Sequence, residues 1–163
     1  MSRPLTVAAI LLTMFLSAME ATVVSTAMPT VIAELSGIEL YGWVGAIYML
    51  ATTVTIPIWG KLSDVLGRKP VLLAGLFVFL AGSMGSGVSR SMAMLIVMRA
   101  VQGAGAGALQ PVALTIIGDL FTIEERGRIQ GLFGAVWGIA GMVGPLVGGL
   151  IVGAVSWRWV FFL

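Results

Sequence analysis

The chain is 163 residues long, 59% hydrophobic and 10% charged, with nine basic and seven acidic residues, a net charge of +2, and neither Cys nor His. A soluble domain carries about 25% charged residues, so this composition, with a mean hydropathy of +1.08, excludes a water-soluble fold and implies an integral membrane protein. Without Cys or His there is no disulfide framework and no thiolate or imidazole metal site, and the small, dispersed positive charge argues against a nucleic-acid partner.

The first apolar run covers about residues 5–32, with Arg3 just before it. A secretory signal peptide would begin in the same way, with Ser17 and Ala18 imitating a cleavage site. The run continues through Val23, Val24 and Val31, beyond a signal core, and supplies the roughly 20 apolar residues that a span needs. Further runs at about 42–59, 71–88, 92–117 and 129–155 give five complete spans. None alternates apolar and polar over about 10 residues, as barrel strands do, so all five are predicted to be helices. A sixth run starts at 157–163, with Trp157-Arg158-Trp159 at the interface. Its seven residues rise only about 10 Å against a hydrocarbon core of about 30 Å. The chain therefore reads as a fragment, 1–163, that stops inside a span. The expected fold is an all-α integral membrane protein with five complete transmembrane helices and the start of a sixth.

Charge is concentrated between the second and third spans, in Gly60-Lys61-Leu62-Ser63-Asp64-Val65-Leu66-Gly67-Arg68-Lys69-Pro70. A loop this charged sits in water, and cytoplasmic loops collect Lys and Arg. Arg3, Lys61, Arg68, Lys69, Arg126 and Arg128 fall on one side of the five spans, against Arg90 and Arg158 on the other. The expected topology is multi-pass, with the N-terminus cytoplasmic and Glu34 and Glu39 in the first outer loop. Asp64 is placed to cap backbone amides or meet a nearby Arg, so the loop could act as a latch. The plainer alternative is a solvated loop that only sets topology.

Two ionisable residues fall inside spans. Glu20 lies near the middle of the first, on a small or polar face with Thr13, Ser17, Val24 and Ala27. A carboxylate buried there could bind and release a proton or pair with a cation. The alternative is a structural acid hydrogen-bonded to a neighbouring helix. Arg99 lies about 10 Å into the fourth span, where it could interact with Glu20, bind an anionic group, or snorkel to the interface. Gln102, one turn on, adds hydrogen-bonding capacity.

The run Gln102-Gly103-Ala104-Gly105-Ala106-Gly107-Ala108 lacks the strand and third glycine of a nucleotide-binding loop. Gly103 and Gly107 instead form a small-xxx-small pair that permits close helix packing. The pairs Gly134 and Gly138, Gly144 and Gly148, and Gly149 and Gly153 repeat that spacing in the fifth span, around Pro145. They read either as tight packing or as a hinge. Pro57 and Pro111 mark weak points in the second and fourth spans.

These stretches resemble the signature motifs of the major facilitator superfamily, specifically its drug:proton antiporter branch and within that the fourteen-span multidrug efflux group. Gly60, Leu62, Asp64, Gly67, Arg68 and Lys69 match the superfamily's loop between spans two and three. Met19 to Pro29 resembles the group's first-span motif, with Glu20 where many members have Asp. Arg99, Gln102, Gly103 and Gly105 match the span-four motif. Gly141, Gly144, Pro145, Gly148 and Gly149 match the span-five motif of antiporters, and Trp157-Arg158-Trp159 resembles the family's approach to span six.

The resemblance implies part of the N-terminal six-helix half of a major facilitator fold. Such transporters alternate access by rocking two halves around a central site. Proton coupling would involve Glu20, Arg99 and Gln102, and Asp64 would latch onto the missing C-terminal half. The implied activity is proton-coupled export of lipophilic or cationic compounds across the cell membrane. The proton gradient would supply the energy, with no cofactor, and the partners would be the lipid bilayer, the C-terminal half, the substrate and protons. A symporter or facilitator for a metabolite such as a sugar, amino acid or siderophore is the nearest alternative. A non-transporting membrane scaffold is another. An intramembrane enzyme is disfavoured, since there is no His, no Cys and no paired acid within a span.

Overall fold

The computed structural model describes residues 3–162; the side chains of Arg3, Pro4 and Leu5 and all of Met1, Ser2 and Leu163 lie outside it. Five long helices follow in order: α1 (Arg3–Leu35), α2 (Tyr41–Leu66), α3 (Arg68–Gly87), α4 (Met92–Leu120) and α5 (Ile123–Ala154), with 3-10 turns at Ile38–Leu40 and Trp157–Phe161. All five are long and apolar enough to cross a membrane.

Several helices extend past the limits of their apolar runs. The charged stretch at 60–69 is not an extended loop. α2 runs through it to Leu66 and α3 resumes at Arg68, so Gly67 alone makes the turn, at φ 93°. A Cβ is strained in that region, which explains the glycine. Glu34 belongs to the last turn of α1 rather than to a loop, and Glu39 to the short turn that follows.

α5 starts at Ile123, well before the apolar run at 129. Thr122 accepts a hydrogen bond from the Glu125 amide at 3.4 Å, and the Glu125 carboxylate accepts one from the Thr122 amide at 2.9 Å. This reciprocal capping box nucleates the helix, and the Thr-x-x-Glu spacing at 122–125 advertises it. Arg126 donates to the Phe121 carbonyl at 2.9 Å and to the Gly118 carbonyl, closing the last turn of α4. The segment from Trp157 begins as a 3-10 turn, with Trp157, Val160 and Phe161 buried.

Packing falls into two groups. α4 lies between α2 and α3, α1 lies against α5, and residues 157–161 touch α1, α3 and α5. Lipid removes the hydrophobic drive for helix association, so close approach and hydrogen bonds must supply it. A Cβ on Gly105 would sit 2.2 Å from the Phe79 amide nitrogen of α3, and one on Gly107 would sit 2.2 Å from the Thr55 hydroxyl of α2. Thr55 reaches the Ala104 carbonyl at 3.1 Å and the Trp59 indole donates to that carbonyl at 2.6 Å. On the other seam, Gly144 and Gly148 admit Thr22 and Thr26 of α1, and Thr22 reaches the Ala140 carbonyl at 3.3 Å.

The remaining span-five glycines behave differently. Cβ atoms at Gly134, Gly138, Gly141, Gly149 and Gly153 would meet nothing within 4 Å. Of the motif residues in α5, only Gly144 and Gly148 pack a helix among the described residues.

Substituting alanine at two glycines should therefore give different outcomes. In the full-length protein, Gly105→Ala should lower thermal stability by about 1–3 kcal/mol through overpacking. Gly127→Ala, where a Cβ meets open space, should leave it unchanged or raise it through helix propensity by up to about 1 kcal/mol. Unfolding scans in detergent separate the two.

Candidate functional site: a buried ion pair between three helices

Glu20 sits at the middle of α1 and Arg99 on the second turn of α4, and both are buried, at 8% and 4% exposure. Their side chains form an ion pair through Arg99 Nη1 and Glu20 Oε1. The same Nη1 donates to Gln102 Oε1 at 2.7 Å, and Arg99 Nε donates to the Val44 carbonyl of α2 at 3.4 Å. The guanidinium carbon lies 4.2 Å from the centre of the Tyr48 ring. Arg99 does not snorkel: burial, Gln102 and Tyr48 hold it inside.

The backbone allows this convergence because glycines flank it. A Cβ on Gly103 would lie 2.4 Å from the Tyr48 carbonyl oxygen, and one on Gly82 of α3 would lie 2.3 Å from the Gln102 amide nitrogen. Apolar side chains close the surroundings: Met19, Val23, Val44 and Leu95 are all buried in one cluster. In so dry a place a lone charge is very costly and a paired one survives only with further hydrogen bonds. Yet the network is incomplete. Glu20 Oε2 and Gln102 Nε2 are buried without a hydrogen-bond partner among the described residues. The carboxylate thus holds Arg99 with one oxygen and keeps the other free to accept a proton or a cation.

Two clefts reach the pair. One of about 260 Å3, between α1, α3 and residues 160–162, is lined by Glu20 and Ser83 among apolar side chains. Another of about 230 Å3, between α1 and α2, has Arg99 at its wall with Ser25 and Tyr41. A wider cleft of about 360 Å3 lies away from the pair, bounded by Ile10, Thr13, Leu72, Ile116 and Asp119.

The charged stretch at the α2–α3 turn forms its own network. Arg68 donates to Asp64 at 2.5 Å, to the Ser63 hydroxyl at 2.8 Å and to Asp119 of α4 at 3.2 Å. Asp64 therefore pairs with Arg68 and does not cap α3, whose first turn has no side-chain cap. Gly60 is open on its Cβ side, and Lys69 is exposed. At the opposite end of the bundle, Glu34 accepts hydrogen bonds from the Trp157 indole at 2.6 Å and from Arg158 at 2.5 Å. Asp119, Tyr48 and the Glu34–Arg158 pair escape a sequence reading because each partner lies 50 or more positions away and no local spacing announces it.

The sequence model of the Major Facilitator Superfamily matches residues 10–163. The chain belongs to the Major Facilitator Superfamily. It is 48% identical over 154 residues to multidrug resistance protein 3 of Bacillus subtilis, covering 94% of this chain and 30% of that protein. It is 42% identical over 161 residues to the multidrug transporter protein MdtP of the same organism, covering 99% of this chain and 30% of the relative. A fungal relative, efflux pump dotC of Dothistroma septosporum, is 45% identical over 155 residues, 95% of this chain and 27% of that protein. The chain thus spans under a third of the length of these relatives, and its all-helical architecture is that of an N-terminal major facilitator half.

Because the pair is buried, removing one member should cost more than removing both. Arg99→Met should destabilise the full-length major facilitator protein by roughly 3–5 kcal/mol. The double change Glu20→Met with Arg99→Met should fall well short of the sum of the single changes. A double-mutant cycle of unfolding in detergent measures the coupling.

Proposed function

We propose that the full-length protein is a proton-coupled antiporter that exports lipophilic or cationic compounds by alternating access. The observation that carries this reading is the buried Glu20–Arg99–Gln102 cluster, with one carboxylate oxygen left without a partner. A buried ionisable group in a span is expensive and normally serves a transported ion or substrate. Protonation of Glu20 would cancel its charge, release its hold on Arg99, and bias the protein between its outward and inward states. Gln102 would keep Arg99 in place while the partner changes. The printed names of the relatives, multidrug transporter and efflux pump, support export of chemically varied compounds.

Under this reading the chain sits in the cell membrane with its N-terminus cytoplasmic, which puts the Asp64–Arg68–Asp119 network on the inner face and the Glu34–Arg158 pair on the outer. The helix turn with Gly60, Asp64, Gly67, Arg68 and Lys69 serves as a conformational latch towards the C-terminal half. Gly141 and Gly149, open on their Cβ side, together with Pro145 form a smooth face of α5 against which that half can slide. Gly144 and Gly148 keep α5 fastened to α1. The proton gradient supplies the energy, and no cofactor or catalysed chemistry is needed.

The test uses the full-length protein in everted membrane vesicles with an acidified lumen. Adding a lipophilic cation should drive proton release in wild type, and Glu20→Gln should abolish it at equal expression. A response that survives the substitution moves coupling away from Glu20. No response to any cation, with uptake of a metabolite instead, would replace export by symport.

A further inference from the structure

Tyr48 has no place in the coupling scheme above, yet it packs directly against Arg99. Its ring faces the guanidinium at 4.2 Å, and two features hold it there. Gly103 lets the α2 backbone approach α4 at Tyr48 itself, since any Cβ would collide with the Tyr48 carbonyl and Cα. The Thr52 hydroxyl then lies 2.7 Å from the Tyr48 carbonyl and 3.1 Å from the Gly103 carbonyl, bridging the two helices. The charged groups at this site are Arg99 of α4, under the ring, and Glu20 of α1, paired with Arg99, and the neutral Gln102 shares Arg99 with that acid.

Arg99 stays cationic throughout, because a guanidinium does not deprotonate in a protein. When Glu20 takes a proton or a cationic substrate, Arg99 loses its counter-charge in a dry site. What remains is the Gln102 carbonyl oxygen, the Val44 carbonyl and the face of the Tyr48 ring. A ring quadrupole attracts a cation more strongly once it is desolvated and unpaired. We infer that Tyr48 is a positioning residue that holds Arg99 after Glu20 has let it go, so that protonation does not collapse the site. This role rests on Glu20 being the proton-carrying group. It belongs to the ring and not to the hydroxyl.

The test separates the ring from the hydroxyl and does not depend on transport. In the full-length protein, a hydrophobic carbodiimide should label Glu20 in its protonated form, and the labelling can be followed against pH in wild type, Tyr48→Phe, Tyr48→Leu and Tyr48→Met. Tyr48→Phe should superimpose on wild type. Losing the ring penalises the state in which Arg99 is unpaired, which is the protonated one, so the Leu and Met profiles should move towards acid. A cation–π contact of this kind corresponds to a displacement of about half a pH unit or more. If Leu fails to fold, Met reports the same loss with a side chain that adapts to the gap.

Leu and Met profiles that superimpose on wild type would overturn the proposal, and so would a Phe profile that shifts with them. Proton release on adding a lipophilic cation, measured in parallel, distinguishes the two levels. If labelling shifts as expected and no variant, wild type included, releases protons, the antiport reading fails and the role of Tyr48 stands.

Discussion

A carboxylate and a guanidinium held together in the middle of a membrane bundle constrain everything around them. Neither charge tolerates that environment alone, so α1, α2 and α4 must meet at the depth where Glu20 and Arg99 sit. Each helix contributes a part: the acid from α1, the cation and Gln102 from α4, and the Val44 carbonyl and Tyr48 ring from α2. Apolar residues of similar volume would do as well or better for stability alone. Retaining a charged cluster with an unpartnered carboxylate oxygen makes sense where a charge has to change during a working cycle.

Glycine makes the meeting possible. α4 is the hub, and Gly103, Gly105 and Gly107 are the places where α2 and α3 come into backbone contact with it. Hydroxyls then exploit the short distance, Thr52 and Thr55 on one seam and Thr22 on the other. In a bilayer such contacts take the role that water exclusion plays in a soluble core. The open glycines of α5 belong to a different order of packing. A Cβ on any of them would meet nothing within 4 Å among the described residues.

The two ends of the bundle are fastened by exposed polar networks. Arg68 joins the α2–α3 turn to the end of α4 through Asp64 and Asp119. Glu34 joins the end of α1 to Trp157 and Arg158, and Arg158 stacks over the Trp157 ring at 4.4 Å. Single exposed pairs add little stability; what these contribute is a link between segments far apart in the chain. Residues 157–161 are also held by the Ser83 hydroxyl, which donates to the Phe161 carbonyl at 2.6 Å, and by the burial of Trp157, Val160 and Phe161.

Hydropathy alone determined that this chain crosses a membrane five times, because about 20 apolar residues in a row have no other stable setting. Glu20 and Arg99 were visible for the same reason: an ionisable residue inside such a run stands out by its cost. Motif spacing was enough to indicate the superfamily. Helix ends were less legible, since caps such as Thr122 with Glu125 and a one-residue turn at Gly67 extend helices past the apolar limits. The Gly103 and Gly107 spacing announced a packing pair, and both do pack against α2. In α5 the sequence could not tell packing glycines from open ones, since Gly144 and Gly141 look alike and only the rotation of α5 against α1 distinguishes them. Asp119, Glu34 and Tyr48 found their partners solely through the tertiary fold. A pair 50 or more residues apart leaves no periodic trace, and its energy depends on distance in space rather than along the chain.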